Sequence, residues 1–517
     1  MRIRSALLVL GLLAGCVLGQ EERSLPRADG GGSSGKSHQE VAKPRLPLAV
    51  QTPPVGTTHK EMLAYLTALC SRCPEMELEI AGQSVAGREI PAVFIPPRSR
   101  WRTEAATVMI FAQQHGDEPS GKEALLMLLD DFCAEPAGWP FLHLNLMIVP
   151  SVNPDGGEAH RRRNDRQVDL NRNHAILTEP ETRLLRTLFN RYAAQVTLDV
   201  HEYGIRSWLR QGLSKDLGEQ FDCISNPAIP EVLLEFARER LLWPAIERAR
   251  ERGVNANRYL VTQDDPALPV RHSTTDIDDG RNGFGIDCTL SFILEGPNGL
   301  WPGDRIWQRA KGQLAFIESF LAVCEANHEE IVRVVSEARK ARAAQPPREV
   351  AIQADYTLSS SGTLQVTILS TRDLRDTTIV LPDYRSAPEV LYAVEPPEAY
   401  VVERPTGPLL ELLAAHGFAH ELLTAKKSMM VEEFRVEGWD TLRCEGRKTV
   451  VPAGGYWRAK KTFNPGALLV PVNGVGAAKL VQIMEPRSLY GLSHYDQFSD
   501  LFQDKVLPIY RLLGFRR

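Results

Sequence analysis

Residues 108–132 read VMIFAQQHGDEPSGKEALLMLLDDF. The apolar run 108–112 has the length of a buried strand and is too short for a helix. Pro119 then opens a stretch with apolar residues at Ala124, Leu125, Leu128 and Leu129, the spacing of one helix face, continuing to Phe132. Between strand and helix lie Gln113, Gln114, His115, Gly116, Asp117 and Glu118, so His115 and Glu118 share one tight turn after a buried strand. In open α/β sheets, sites form at the carboxyl ends of the strands.

The alternation continues outward from this stretch. Residues 144–149, 196–200 and 290–294 read as further buried strands. Thr178 and Glu181 have the spacing of a capping box, with Pro180 inside the first turn, and predict a helix over 182–192. Residues 301–344 read as one or two helices. The pattern predicts an α/β fold over 58–344, a mixed and mostly parallel sheet with helices on both faces. Gln345, Pro346 and Pro347 then break it. Residues 345–517 read as a smaller C-terminal α+β domain of unknown role. Its expected strands are 364–369, 377–381 and 467–472, with helices at 409–415, stopped by Gly417, and at 477–484. His416, His420 and His494 in that half lack ligand spacing and are read as structural.

The first residues carry an address. Arg2 and Arg4 precede an apolar stretch, 5–14, that is too short to span a bilayer, the pattern of a secretory signal over 1–19. The stretch ends in Leu13, Ala14, Gly15, Cys16, which resembles a bacterial lipoprotein box. Lipidation at Cys16 and cleavage before Gln20 are the two outcomes, and both export the chain to a periplasmic or cell-surface location. Residues 20–57, with Gly30 to Gly32, Ser33, Ser34 and Gly35, read as a flexible linker, so order is expected from Thr57 or Thr58. A chain of 517 residues implies two or three domains, and a net charge of -5 gives no basic footprint for nucleic acid. Membrane contact is expected only through an N-terminal lipid. Of eight cysteines, setting Cys16 aside leaves an odd seven, so not all pair within one chain. Cys70 and Cys73 fall at the end of an apolar-periodic helix, where a helix-face pair or a local disulfide is expected rather than a metal knuckle.

Two more polar groups end predicted buried strands. His201 closes 197–200, and Glu295 closes 291–294 ahead of Gly296 and Pro297. Catalytic zinc takes three protein ligands and keeps one place open, and two histidines with a glutamate are one of its standard sets. His115, Glu118 and His201 supply that set. Zinc lowers the pKa of water to about 7, and an unligated carboxylate must still take the proton; Glu295 fits that post. Taken singly, an H-x-x-E is more often structural and a histidine after a strand is usually a satisfied polar group. An unpaired buried glutamate is costly and therefore less usual.

What lies between them joins the pieces. Asn153, Pro154, Asp155, Gly156 have turn composition, followed by Arg161, Arg162, Arg163, Asn164 and then Asp169, Leu170, Asn171, Arg172, Asn173. Three arginines between two turn motifs near the same strand ends make a poor solvated face. Beside a metal, a guanidinium can hold an oxyanion or fork onto a terminal carboxylate.

The order H-x-x-E, NPDG, R-x-N, D-L-N-R-N, T-E-P-E-T, strand-His, strand-Glu resembles the M14 zinc carboxypeptidase family over residues 105–300. The resemblance implies one Zn2+ on His115, Glu118 and His201, with Glu295 as general base. It implies Arg162 as the oxyanion arginine, with Arg163 open by a one-residue slip, and Asn171 and Arg172 as the grip on the substrate's C-terminal carboxylate. The implied activity is that of a metallocarboxypeptidase acting on a peptide or muropeptide with a free C-terminal carboxylate. One departure stands out. The family's well-studied members carry a mobile tyrosine some two dozen residues before the base, and 271–275 here read Arg, His, Ser, Thr, Thr. His272 or Phe284 is the candidate for part of that role. The acidic run Asp276, Asp278, Asp279 is expected to be a solvated turn rather than a calcium site. Two rival readings are an N-acyl amino acid deacylase of the desuccinylase type and a non-enzymatic binding lipoprotein on the same scaffold. The first expects N-P-x-A and D-L-N-R-x-F-P-G where this chain has NPDG and D-L-N-R-N-H; the second usually loses a ligand or the base, and none is lost here.

Overall fold

Long buried strands need their backbone groups paired on both sides, and the chain meets that need with one large sheet. In the computed structural model, which describes residues 45–513 apart from Pro53, Pro302, Glu445 and Gly446, eight strands make it up. They are β1 (Glu77–Gln83), β2 (Glu89–Ile95), β3 (Ala106–Ala112), β4 (Leu144–Val149), β5 (Val196–Tyr203), β6 (Glu219–Cys223), β7 (Ala256–Arg258) and β8 (Leu290–Pro297). Their order is β1-β2-β4-β3-β5-β8-β6-β7. The centre, β4-β3-β5-β8, is parallel, whereas β1, β2 and β6 join antiparallel. The mixed, mostly parallel sheet expected from sequence is therefore present.

Strand alternation sets both faces. Val108, Ile110, Ala112, Val196, Leu198, Val200, Leu290, Phe292 and Leu294 belong to one core, packed under α3 (Ser120–Ala134), α7 (Ile306–Ala326) and α8 (His328–Ala344). Met109, Phe111, Met147 and Val149 face the opposite layer, covered by α5 (Pro180–Tyr192) and α6 (Gly280–Gly285). Since successive side chains in a strand take opposite faces, Thr197, Asp199, His201, Ser291, Ile293 and Glu295 all turn toward this second layer.

The described chain begins before Thr57, the expected start of order. A short helix α1 (Pro47–Val50) buries Leu46 and Leu48 in the first core. The Thr57 amide and hydroxyl bond Glu123 at 2.7 and 2.6 Å, which fixes the entry into α2 (His59–Arg72). The signal and lipid-box readings of residues 1–19, and the linker up to residue 44, lie outside the described residues. The capping box expected at Thr178 and Glu181 does not form. The N-cap of α5 is Glu179, because Asn173 draws the Thr178 hydroxyl (2.6 Å) and the Val85 amide draws Glu181 (3.0 Å). Cys70 and Cys73 are free thiols, at the end and C-cap of α2. No helix among the described residues is long and apolar enough to cross a membrane.

The region after residue 345 is richer in strand than the sequence suggested. A six-stranded sheet is built around the long hairpin Lys427–Cys444 and Arg447–Phe463. A second hairpin, β9 (Ser361–Ser370) and β10 (Asp376–Arg385), reaches back to the first half. Leu213–Ser214 pairs with β9 and Val270–Arg271 with β10, making one four-stranded sheet. The described residues accordingly form a single compact unit.

His272, just past Val270–Arg271, locks this joint. Its Nδ1 lies 2.9 Å from the Tyr259 carbonyl, which can only accept, so Nδ1 carries the hydrogen. Nε2 is then the acceptor for the Tyr384 hydroxyl, and the ring is neutral. Burial, with Arg258 nearby, pushes its pKa down to about 4. The unfolded histidine has a pKa of about 6.5, so below that pH the unfolded chain binds a proton the folded chain refuses. This contribution to stability is complete above pH 6.5 and declines as pH falls toward 4, by up to about 3 kcal/mol. Thermal unfolding followed between those pH values should show a steeper loss of Tm in the native chain than in His272→Asn; parallel curves would contradict it.

Candidate metal centre

The site grows from the end of β3. Gln113, the first residue past the strand, takes a left-handed φ of 57°, a conformation uncommon for a residue other than glycine. It is held there by Ser151, whose hydroxyl donates to Oε1 at 2.8 Å, and by the Asn153 amide on its carbonyl at 3.1 Å. The chain can then fold tightly onto α4 (Pro154–Glu158). Gly116 is required at this point, because a Cβ on it would sit 2.0 Å from the Gly156 carbonyl carbon. Asn153 caps α4, and its amide also reaches the carbonyls of Gln114 (3.0 Å) and Arg162 (3.3 Å). The NPDG segment thus clamps the arginine loop against the H-x-x-E turn.

Parallel pairing of β3 with β5 sets Ala112 beside Val200, which brings the turn level with His201. His115, Glu118 and His201 are all buried, and their ligand atoms lie within 4.8 Å of one another. His115 Nδ1 is 2.9 Å from Glu118 Oε1, His201 Nδ1 is 2.9 Å from Oε2, and the two Nδ1 atoms are 3.1 Å apart. The far ring nitrogens face carboxylates: His115 Nε2 is 3.1 Å from Asp169 Oδ1, and His201 Nε2 is 2.8 Å from Asp199 Oδ1. Carboxylates draw the ring hydrogens to the Nε2 side and leave Nδ1 lone pairs facing each other across an anionic oxygen pair. Such lone pairs repel unless a cation or an extra proton lies between them. The donor set, its spacing and its outer carboxylates fit a tetrahedral divalent cation.

Neighbouring charges act in the same direction. Burial works against the Glu118 charge, but His115 and His201 hold its carboxyl below the usual range. The Glu202 amide donates to Glu118 Oε2 at 3.0 Å, and Glu202 is itself fixed by Arg309. Burial likewise opposes ionisation of Asp169, which His115 and Arg162 overcome.

Of the arginines, Arg162 is the one beside this cluster. Its Nε donates to Asp169 Oδ2 at 3.0 Å, and its Nη1 lies 3.5 Å from Glu118 Oε1. Arg163 points away, to the Gln167 carbonyl. Asn171 adjoins the cluster, its Nδ2 3.2 Å from His201 Nε2 and its Oδ1 accepting from the Gly280 amide at 2.7 Å. Burial opposes the charge of Arg172, which Asp278, Asp276 and Asp169 sustain. Glu295 is the direct register partner of His201 across β5 and β8, and burial pushes its carboxyl up to about 7.

Three expectations are corrected here. The acidic run is not a solvated turn: Asp276 and Asp279 are buried, Asp279 caps α6 and pairs with Arg281, and the run supports Arg172. Phe284 is packed in the second core against Phe111 and Phe189 and has no room to swing. His272 is committed to Tyr259 and Tyr384. Tyr259 and Lys215 are the groups near enough to feel the Glu295 charge: burial, with Glu295 adding to it, holds the Tyr259 phenol well above its ordinary range, and burial lowers the Lys215 ammonium to about 8 against the pull of Glu295. No motif marks either residue, since both lie on irregular chain far from the base in sequence.

The family model Peptidase_M14, zinc carboxypeptidase, matches residues 62–208. Carboxypeptidase 2 of Trichophyton rubrum is 23% identical over 474 residues, covering 88% of this chain and 87% of that protein. Carboxypeptidase 2 of Trichophyton tonsurans is 25% identical over 230 residues, so the match spans 43% of this chain and less than half, 42%, of that protein. A metallo-carboxypeptidase from Burkholderia cenocepacia aligns with a TM-score of 0.40 at 18% identity, covering 52% of this chain and 70% of that one.

The carboxylate behind His115 should matter to metal binding. Asp169→Asn keeps the shape and removes the charge that orients the ring, and is expected to weaken zinc binding about 10- to 100-fold in competition with a chromophoric chelator. An unchanged affinity would contradict this account of the site.

Proposed function

We propose that the chain, whose residues 62–208 match the Peptidase_M14 zinc carboxypeptidase model, is a zinc-dependent hydrolase that removes residues from the free carboxyl end of a peptide. The observation that carries the proposal is the meeting of His115, Glu118 and His201 at hydrogen-bond distances, with Glu295 in register beside His201. His115, Glu118 and His201 would hold one zinc ion. Bound there, zinc supplies Lewis acidity at the scissile carbonyl and lowers the pKa of the attacking water.

The protein's own groups do the rest. Glu295, unligated and buried, takes the proton of the attacking water and returns it to the departing amine. Arg162, anchored through Nε by Asp169 and with Nη1 turned toward Glu118, is placed for the oxygen that gains charge during attack. Arg172, kept charged by the aspartates around it, and Asn171 take the substrate's terminal carboxylate, which selects chain ends over internal bonds. Exposed main-chain ends of peptides or muropeptides are the substrate class. Export by the N-terminal signal is part of the same proposal.

Two variants test the roles separately. Glu295→Gln should retain zinc and lose about 100-fold or more in kcat on an N-acylated dipeptide; turnover near that of the native chain would refute its role. Arg172→Ala should raise KM by about tenfold or more for the free-carboxylate substrate, and should leave the slower cleavage of the amidated analogue unchanged. Equal losses on both substrates would count against the grip.

A further inference from the structure

We propose that the C-terminal helix α9 (Ala477–Met484) positions the carboxylate grip, with Gln482 and Lys479 fixing the two ends of the segment 275–287 against which Asn171 rests. This depends on the reading of Asn171 and Arg172 as that grip.

The segment has little hold of its own. Its helix α6 is six residues long and reads GRNGFG, too short and too rich in glycine to stand alone. Glycine is needed there for close approach. A Cβ on Gly280 would lie 2.5 Å from Asp199 Oδ2, and one on Gly283 would lie 2.8 Å from the His174 Cβ. The approach lets the Gly280 amide donate to Asn171 Oδ1 at 2.7 Å and the Asp278 carbonyl accept from the His174 amide at 3.1 Å. Asp276 and Asp278, on the same segment, sustain the charge of Arg172. A shift of the segment therefore reaches both groups of the grip.

Helix α9 holds the segment at both ends. At its start, Gln482 and Asn226 pair amide to amide: Gln482 Nε2 donates to Asn226 Oδ1 at 3.1 Å, and Asn226 Nδ2 donates to Gln482 Oε1 at 3.4 Å. Asn226 Nδ2 also donates to the Thr275 carbonyl at 2.7 Å, and its main-chain amide donates to Asn282 Oδ1 at 3.1 Å. The hydroxyl of Tyr490, beyond the helix, lies 3.1 Å from that of Thr275. At the far end, Lys479 Nζ donates to Asp287 Oδ2. The same oxygen accepts from Arg186 Nη1 at 2.6 Å, and Arg186 Nη2 donates to the Gly283 carbonyl at 2.9 Å. Lys479 and Gln482 are three residues apart, so one face of α9 makes both attachments. Lys479, Gln482, Asn226 and Thr275 are all buried, where a hydrogen bond is costly to leave unmade. This gives a task in substrate selection to a region in which no catalytic motif was found.

The test is steady-state kinetics of the zinc-loaded full chain on an N-acylated dipeptide and on its C-terminal amide. Lys479→Met leaves Asp287 paired with Arg186. It should raise KM about fivefold for the free-carboxylate substrate, with kcat within about twofold of the native value. Zinc affinity and cleavage of the amide should not change. Gln482→Leu should show the same pattern. Tyr490→Phe removes a single hydroxyl and should show it at about twofold; it reads the same end of the segment if Gln482→Leu folds poorly. Native KM in Lys479→Met and Tyr490→Phe, or equal losses on both substrates, overturns the inference, and the grip stands if Arg172→Ala keeps its selective effect. Arg172→Ala without that effect overturns the grip and the inference with it.

Discussion

Two imidazole nitrogens 3.1 Å apart, each 2.9 Å from an oxygen of the same buried carboxylate, make a cluster that a protein cannot keep dry without a compensating charge. Burying a carboxylate alone costs several kcal/mol, and two facing lone pairs add to the repulsion. A divalent cation turns each of these costs into an attraction. Much of the surrounding structure can be read as keeping the cluster in that state. Parallel register levels the H-x-x-E turn with His201, the glycine pair 116 and 156 allows the turn to close, and Asp169 and Asp199 stand behind the rings. The same scaffold delivers Glu295 and Arg162 to the rim with no further element.

The four central strands were legible because parallel strands buried on both faces are continuous apolar runs, as in 106–112, 144–149, 196–200 and 290–294. The cluster of His115, Glu118 and His201 was legible because two of its members share one turn and the third closes a strand. Edge strands were harder. Strand β1 alternates weakly, and β6, with the sequence EQFDC, is wholly buried yet polar, because Gln220 and Asp222 face the second layer, where partners such as Leu260 and Arg258 receive them. The Thr178 cap failed because a neighbour five residues upstream, Asn173, takes its hydroxyl and a distant amide, that of Val85, takes Glu181. Charge alone misread the acidic run, whose aspartates are buried around arginines that are far away in sequence.

The C-terminal half folds back onto the first after the break in the helices. The prolines at 346 and 347 do interrupt the helices, but the polypeptide beyond them returns to complete a sheet with 213–214 and 270–271. Strand pairs of two residues carry almost no signal in a sequence, since their stability comes from the strand they join.

X-ray absorption at the zinc edge of the metal-loaded protein bears on the central claim with the fewest assumptions. The account predicts a shell of light donors at about 2.0–2.2 Å, with the outer-ring scattering of two imidazoles, and loss of one imidazole's contribution in His201→Ala. A sulfur shell at about 2.3 Å, or a spectrum unaffected by His201→Ala, would place the ion elsewhere and contradict it.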